Sequence, residues 1–229
     1  KEEKINCKPG DLEPSYFAWV EDIEIEQDHI HIYAGKELAP GGYAWVFPRG
    51  KNAANIGIVL GKHAVTGANL RHLLDNFLSR YFPSVKVVHR FAGSIPCGFK
   101  KVPIAIPGFI KTGDAANTVN PISRAGISEA LLSGKLAGDA ALEILSSESE
   151  KQSLAICKRY QNEWFKRRGN RHIKLARVKN SLLAVPDEDY NNGTALLSNI
   201  PRDELTMSKI FRASLGRFPR LVWALRHLM

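Results

Sequence analysis

The stretch 108-GFIKTGDAANTVNPISRAGISEALLSGKLAG-138 decides the reading of this chain. It opens as a short apolar strand, turns at Gly113 and Asp114, crosses a loop and starts a helix near Ala125 and Gly126. A glycine at 113 lets the backbone turn sharply at a strand end. Asp114 then projects a carboxylate at the carboxyl edge of a sheet, where it can accept hydrogen bonds from the hydroxyls of a polyol. The helix that follows presents free N–H groups and the positive end of its dipole to an electron-rich or anionic group. A Gly-Asp turn alone usually means an N-cap. Here the strand, GDAA, Pro121 seven residues after Asp114 and a helix rich in small residues occur together. Ile127, Leu131, Gly134, Ala137, Gly138, Ala141 and Leu145 recur at helical spacing, which predicts a helix from 127 to 146 covering its neighbour with that face.

Upstream, the pattern switches to a period of two. Residues 16–34 alternate apolar and polar around 24-EIEQDHIHI-32 and read as a hairpin turning near Gln27 and Asp28. The stretch 39–61 reads as a second hairpin with its loop at 48-PRGKNA-53, Pro48 ending a strand because it cannot donate to the ladder. Residues 67–82 place Leu70, Leu73, Leu74, Phe77, Leu78 and Tyr81 on one helical face before Pro83, and a strand is predicted over 85–96. Downstream, a helix over 151–184 ends before Pro186, 187-DEDYNNGT-194 reads as a polar loop, and Pro201 and Pro219 interrupt the last helical segments. The fold class is therefore α+β, divided as 1–107 (antiparallel sheet with one packed helix), 108–150 (strand, loop and helix) and 151–229 (basic and helical).

Composition narrows the function classes. With 229 residues, 44% hydrophobic and 24% charged, the chain is of ordinary globular composition, and no apolar run approaches the roughly 20 residues that cross a bilayer. Cys7, Cys97 and Cys157 are dispersed, which fits a reducing compartment and no zinc or iron–sulfur spacing. His29 and His31 are read as surface residues on one strand face, so no metal is expected. The net charge of +9 is uneven: residues 1–30 hold nine acids and three lysines, whereas 158–179 hold nine Lys or Arg and only Glu163. The last 23 residues hold five basic residues and no acid. With Trp and Leu interleaved, as in 218-FPRLVWALRHLM-229, this pattern suits an anionic membrane surface better than a nucleic-acid reader.

A second motif carries chemistry. In 43-YAWVFPRGKNAANIGIV-59, Tyr43, Trp45 and Phe47 share one face of a strand, and such a face lines either a core or an apolar pocket. Two resemblances join here. The 108–138 stretch resembles the second flavin fingerprint of FAD-dependent oxidoreductases of the glutathione-reductase and hydroxybenzoate-hydroxylase type. Residues Tyr43, Trp45, Phe47, Pro48 and, after eight intervening residues, Gly57 match the Y-x-W-x-F-P…G-x-G pattern of geranylgeranyl reductases. Two departures stand out: Val59 replaces the second glycine, and 121-PISRAGI-127 replaces the usual PxxGEG.

The resemblance implies a partial hydroxybenzoate-hydroxylase-like fold that lacks the N-terminal βαβ, since no G-x-G-x-x-G occurs. It implies that Lys1 lies inside the substrate domain of a longer protein and that this portion alone holds FAD weakly or not at all. By position, Asp114 holds the ribityl hydroxyls and the backbone at Ala125, Gly126 and Ile127 meets the flavin, with Gly113 and Pro121 also in the cofactor-binding set, while Tyr43, Trp45, Phe47, Pro48 and Gly57 hold an isoprenoid chain. The implied activity is reduction of geranylgeranyl double bonds on a (bacterio)chlorophyll precursor or a lipid. NADPH or a ferredoxin would be the donor. The implied place is the cytoplasm, with peripheral contact to the inner membrane surface through the basic C-terminal helices. The alternatives are an electron-transfer-flavoprotein dehydrogenase-like protein or monooxygenase, or a non-enzymatic basic membrane-binding module; nucleic acid is not expected as a partner.

Overall fold

The computed structural model describes residues 12–61, 67, 69–98, 102–183, 185–198 and 200–201. The chain forms two compact units, Asn6–Gly98 and, in the main, Phe99–Met229. The first is built on a five-stranded sheet of β1 (Leu12–Glu21), β2 (His31–Tyr33), β3 (Tyr43–Pro48), β4 (Ala53–Val59) and β5 (Lys86–Pro96). The strand order is β2-β3-β4-β1-β5 and every pairing is antiparallel. Helix α1 (Leu70–Tyr81) packs on one face.

Alternation in the strands explains that face. Ala18 and Val20 of β1, Ala44 and Val46 of β3, and Ala54, Ile56 and Ile58 of β4 bury their side chains against Leu74, Phe77 and Leu78 of α1. Each large side chain buried this way contributes roughly 1.5–3 kcal/mol. Asn69 caps α1 by accepting from the His72 amide at 3.1 Å, and Phe82 closes its other end. In β5, Val88 is an extra residue between the pairs Trp19–His89 and Val20–Val87, a bulge that increases the local twist.

The β3–β4 hairpin forms where the sequence predicts it, with Asn52 and Gly50 at positive φ in the turn. The hairpin predicted for 16–34 does not form. Asp22 adopts φ 59°, which ends β1, and the Ile23 amide donates to the Asn52 carbonyl at 3.2 Å. The chain then leads to the outer edge of β3, where β2 pairs, so the apparent alternation around 24–32 spans a crossing segment. His29 consequently lies outside any strand, its Nδ1 2.7 Å from Asp28 Oδ1.

In the second unit, β6 (Ala105–Ile106) and β7 (Phe109–Ile110) form a two-stranded ladder that leads into a 3-10 turn at Gly113–Ala116. Helices α2 (Ile127–Leu145), α3 (Glu150–Trp164), α4 (Asn170–Leu183) and α5 (Asp187–Ser198) follow. The single helix predicted over 151–184 is divided by a π turn at Phe165–Gly169. Gly169 is required there, because a Cβ would come within 2.4 Å of Phe165 Cδ1 and 2.5 Å of Trp164 Cζ3.

Two more expectations are corrected. The face α2 buries is Glu129, Ser133, Ala137 and Ala140, so of the row read from the sequence Ala137 is buried as expected, whereas Ile127, Leu131 and Leu145 are exposed, as is Leu142. Small residues and one serine allow α2 to lie close to the 3-10 turn, where larger apolar side chains would not fit. The stretch 187–194 is helical rather than a loop. Asp187, Glu188 and Asp189 stand in the first turn of α5, where negative charge favours a helix, and Tyr190 anchors it by donating from its hydroxyl to the Leu182 carbonyl. The basic segments past residue 201 lie outside the described residues.

Candidate functional site

The sheet face opposite α1 is a grid set by register. One row across the strands is Phe47–Asn55–Trp19–His89, the next Trp45–Gly57–Phe17–Phe91, the third Tyr43–Val59–Ser15–Gly93. Gly57 is the key to the middle row. A Cβ there would lie 2.1 Å from Trp45 Cζ2 and 2.5 Å from Phe17 Cβ. The Trp45 indole therefore lies flat across β4 in the space a side chain would fill, and Asn55 fixes it by accepting from Nε1 at 2.7 Å.

Seated this way, Trp45 joins Phe17 (ring centroids 6.3 Å apart), which stacks on Phe91 at 5.0 Å. On its other flank Trp45 meets Phe47 at 5.9 Å and Tyr43 at 6.2 Å. Trp45 itself is nearly covered, whereas Phe91 is 45% and Phe47 36% exposed. The result is a continuous aromatic floor over four strands, suited to a long unsaturated hydrocarbon. Tyr43, Trp45, Phe47 and Gly57 are thus brought together and Pro48 closes the strand. Phe17 and Phe91 were not singled out from the sequence, since only the pairing register puts them beside Trp45. Cys97 is buried at the end of this unit.

In the second unit, Gly113 has φ 55°, and a Cβ there would press on Ala130 at 3.2 Å, so glycine serves both the turn and the close approach of α2. Its amide donates to Ser133 Oγ at 3.0 Å. Asp114 is exposed, and its carboxylate makes no hydrogen bond or ion pair among the described residues. Asp114 Oδ1 stands 3.1 Å from where a Gly126 Cβ would sit, which places the carboxylate beside the start of α2. No side chain caps that helix, and its first-turn N–H groups lack intrahelical acceptors.

The loop between them is held by Asn120, whose Oδ1 accepts from the amides of Ile122 and Ser123, and by buried Pro121. Ala125 is engaged in the loop, its amide donating to Ser123 Oγ and its carbonyl accepting from the Asn120 amide. Arg124 adopts φ 59°, a conformation that favours glycine and costs another residue about 1–2 kcal/mol. Its guanidinium folds back to donate to the Ile122 carbonyl at 3.1 Å, so its bulk is directed onto the loop.

These residues fit a flavin. An unengaged carboxylate beside an uncapped helix start can accept from ribityl hydroxyls while the amides donate to the pyrimidine edge of the ring. Asn117 Oδ1 and Thr118 Oγ1, both buried without a hydrogen-bond partner, lie on the same turn. As for metals, Glu26, Asp28 and His29 converge to ligand distances among the described residues, on an exposed loop. No helix among the described residues is long and apolar enough to cross a membrane.

Residues 11–95 match the family described as geranylgeranyl reductase catalytic domain. The chain is 30% identical over 227 residues to a digeranylgeranylglycerophospholipid reductase of Methanosarcina acetivorans, covering 97% of this chain and 55% of that protein. A second, from Methanococcoides burtonii, is 29% identical over 224 residues. Among solved structures, a geranylgeranyl bacteriochlorophyll reductase-like protein from Thermoplasma acidophilum superposes with a TM-score of 0.83 at 25% identity, covering 96% of this chain and 55% of that one. The flavin-dependent halogenase CmlS, at 11% identity and a TM-score of 0.56, shares the fold. The chain spans about half the length of the curated relatives it matches.

Proposed function

We propose that this chain belongs to the geranylgeranyl reductase family, as its similarities suggest, and that it supplies the prenyl-binding wall and the flavin-contacting loop of a reductase. The reaction would saturate isolated double bonds in a geranylgeranyl chain. The observation that carries this reading is the Trp45 indole laid over Gly57 into an aromatic floor with Phe17 and Phe91. A lipid-borne chain is favoured over a chlorophyll precursor, because the relatives similar over nearly the whole chain are named for a glycerophospholipid.

A bound FAD supplies hydride chemistry, with NADPH or a ferredoxin as the electron donor. This chain's residues do the rest. Asp114 accepts from the ribityl hydroxyls and fixes the cofactor's rotation. The start of α2 offers N–H donors and a positive dipole to the pyrimidine edge, where reduction accumulates negative charge. Phe17, Trp45, Phe47 and Phe91 exclude water from the alkene and hold it straight, and for an unactivated double bond such positioning provides much of the rate.

Peripheral contact with an anionic membrane belongs to the same reading. Lys166, Arg167, Arg168, Arg171, Lys174 and Arg177 are all exposed along the π turn and α4, and a lipid-like substrate resides at such a surface.

The test is a single-turnover assay of the intact, FAD-loaded protein with a geranylgeranyl lipid, read by mass spectrometry as two hydrogens gained per double bond. Trp45→Ala is expected to weaken lipid binding at least tenfold while flavin is retained, and Asp114→Ala to release flavin. Full turnover by the Trp45 variant contradicts the assignment of the wall.

A further inference from the structure

Beneath the first turn of α2 lies a polar cluster of which the reading above uses only Arg168. Glu129, the third residue of α2, is 7% exposed, and His172 of α4 is 2% exposed. His172 Nε2 stands 3.6 Å from Glu129 Oε1, and Arg168 Nε of the π turn 3.7 Å from the same oxygen. The other oxygen, Glu129 Oε2, is buried with no hydrogen-bond partner, as are His172 Nδ1 and Trp164 Nε1. Trp164, at the end of α3, packs its ring edge-on to His172, with centroids 5.9 Å apart. The π turn that brings these groups together is a helix irregularity common at functional sites.

We propose that Glu129, held against His172, takes up a proton when negative charge arrives at the start of α2, and so couples flavin reduction to protonation of the protein. The proposal rests on the flavin reading of Asp114 and the α2 start. Glu129 already occupies the positive end of the helix. A second negative charge there competes with it, and like charges favour the protonated acid.

The groups around the cluster make Glu129 the acceptor. Burial raises its carboxyl above the ordinary range, opposed by Arg168 and Arg171. His172 is held down to about 4 by burial first, then by Arg171 and Arg168, so its imidazole stays neutral and positions the carboxyl. Two electrons from an external donor (dithionite in the test, a nicotinamide nucleotide or reduced ferredoxin in use) and one proton reduce the flavin to an anion. A second proton, from solvent, adds to Glu129 Oε2.

The measurement is the two-electron midpoint potential of the FAD-loaded intact protein between pH 5.5 and 8.5. Each proton taken up per electron pair changes the equilibrium constant tenfold per pH unit, about 30 mV for a two-electron couple. The native protein is expected to show twice the slope of Glu129→Gln in the window where Glu129 titrates. Redox-difference infrared spectra of the native protein should gain a protonated-carboxyl band on reduction, which keeps the test decisive if the variant folds poorly. Equal slopes, or no such band, with flavin bound overturn the proposal alone. A native protein that retains no flavin overturns it together with the reading beneath it.

Discussion

Gly57→Ala is expected to destabilise the sheet unit by about 1–3 kcal/mol and to abolish prenyl binding. The new Cβ would sit 2.1 Å from Trp45 Cζ2 and 2.5 Å from Phe17 Cβ. The indole could swing away, but Phe17 Cβ is fixed by the backbone of β1, which is paired on both sides. Relief therefore requires both that Trp45 leave its seat, losing the bond to Asn55 and the contact with Phe17, and that β4 shift against β1. Urea unfolding followed by tryptophan fluorescence measures the stability change, and binding of a geranylgeranyl lipid measures the loss of the floor. Gly93→Ala is the control. It lies on the same face, and its Cβ would meet only Ser15 Oγ at 3.6 Å, an ordinary contact. Near-equal effects of the two substitutions would contradict the role given to Gly57.

Acidification is expected to cost about 3 kcal/mol of stability through His172 alone. Its ordinary value of 6.5 falls to about 4 in the folded chain, with burial the main cause, followed by Arg171 and Arg168. Above pH 6.5 the imidazole is neutral folded and unfolded, and contributes no pH dependence. Between 6.5 and about 4 the unfolded chain binds the proton and the folded one does not, so stability falls as pH falls through that window. Each unit of separation corresponds to about 1.4 kcal/mol. Glu129 acts in the opposite sense: raised by burial, it favours the folded chain less as pH climbs above its ordinary 4.5. Urea unfolding at closely spaced pH values should show the acid limb in the native protein and a flattened one in His172→Leu. An identical limb in both would place the acid sensitivity elsewhere.

The residues legible in the sequence are those whose chemistry is local. Alternation and Pro48 mark the β3–β4 hairpin, the Leu and Phe spacing marks α1, and the Gly-Asp turn followed by small residues marks the 3-10 turn and α2. Long-range pairing was not legible. The segment after Asp22 alternates like a hairpin strand yet crosses the sheet end to pair with β3. Phe17 and Phe91 carry no motif, and only the Phe17–Gly57 and Phe17–Phe91 register makes them part of the floor. Glu129 and His172 are 43 residues apart, joined by the π turn that a continuous helical pattern concealed. The acids of 187–189 suggested a loop because their benefit to a helix start depends on where the helix begins.

A photo-crosslinking geranylgeranyl lipid, bound to the intact protein and mapped by peptide mass spectrometry, tests the prenyl wall most directly. Labelling is expected on Phe17, Phe47 and Phe91, with loss of those labels in Gly57→Ala. Labels gathered instead on α1, or spread without regard to the Gly57 substitution, would contradict the account.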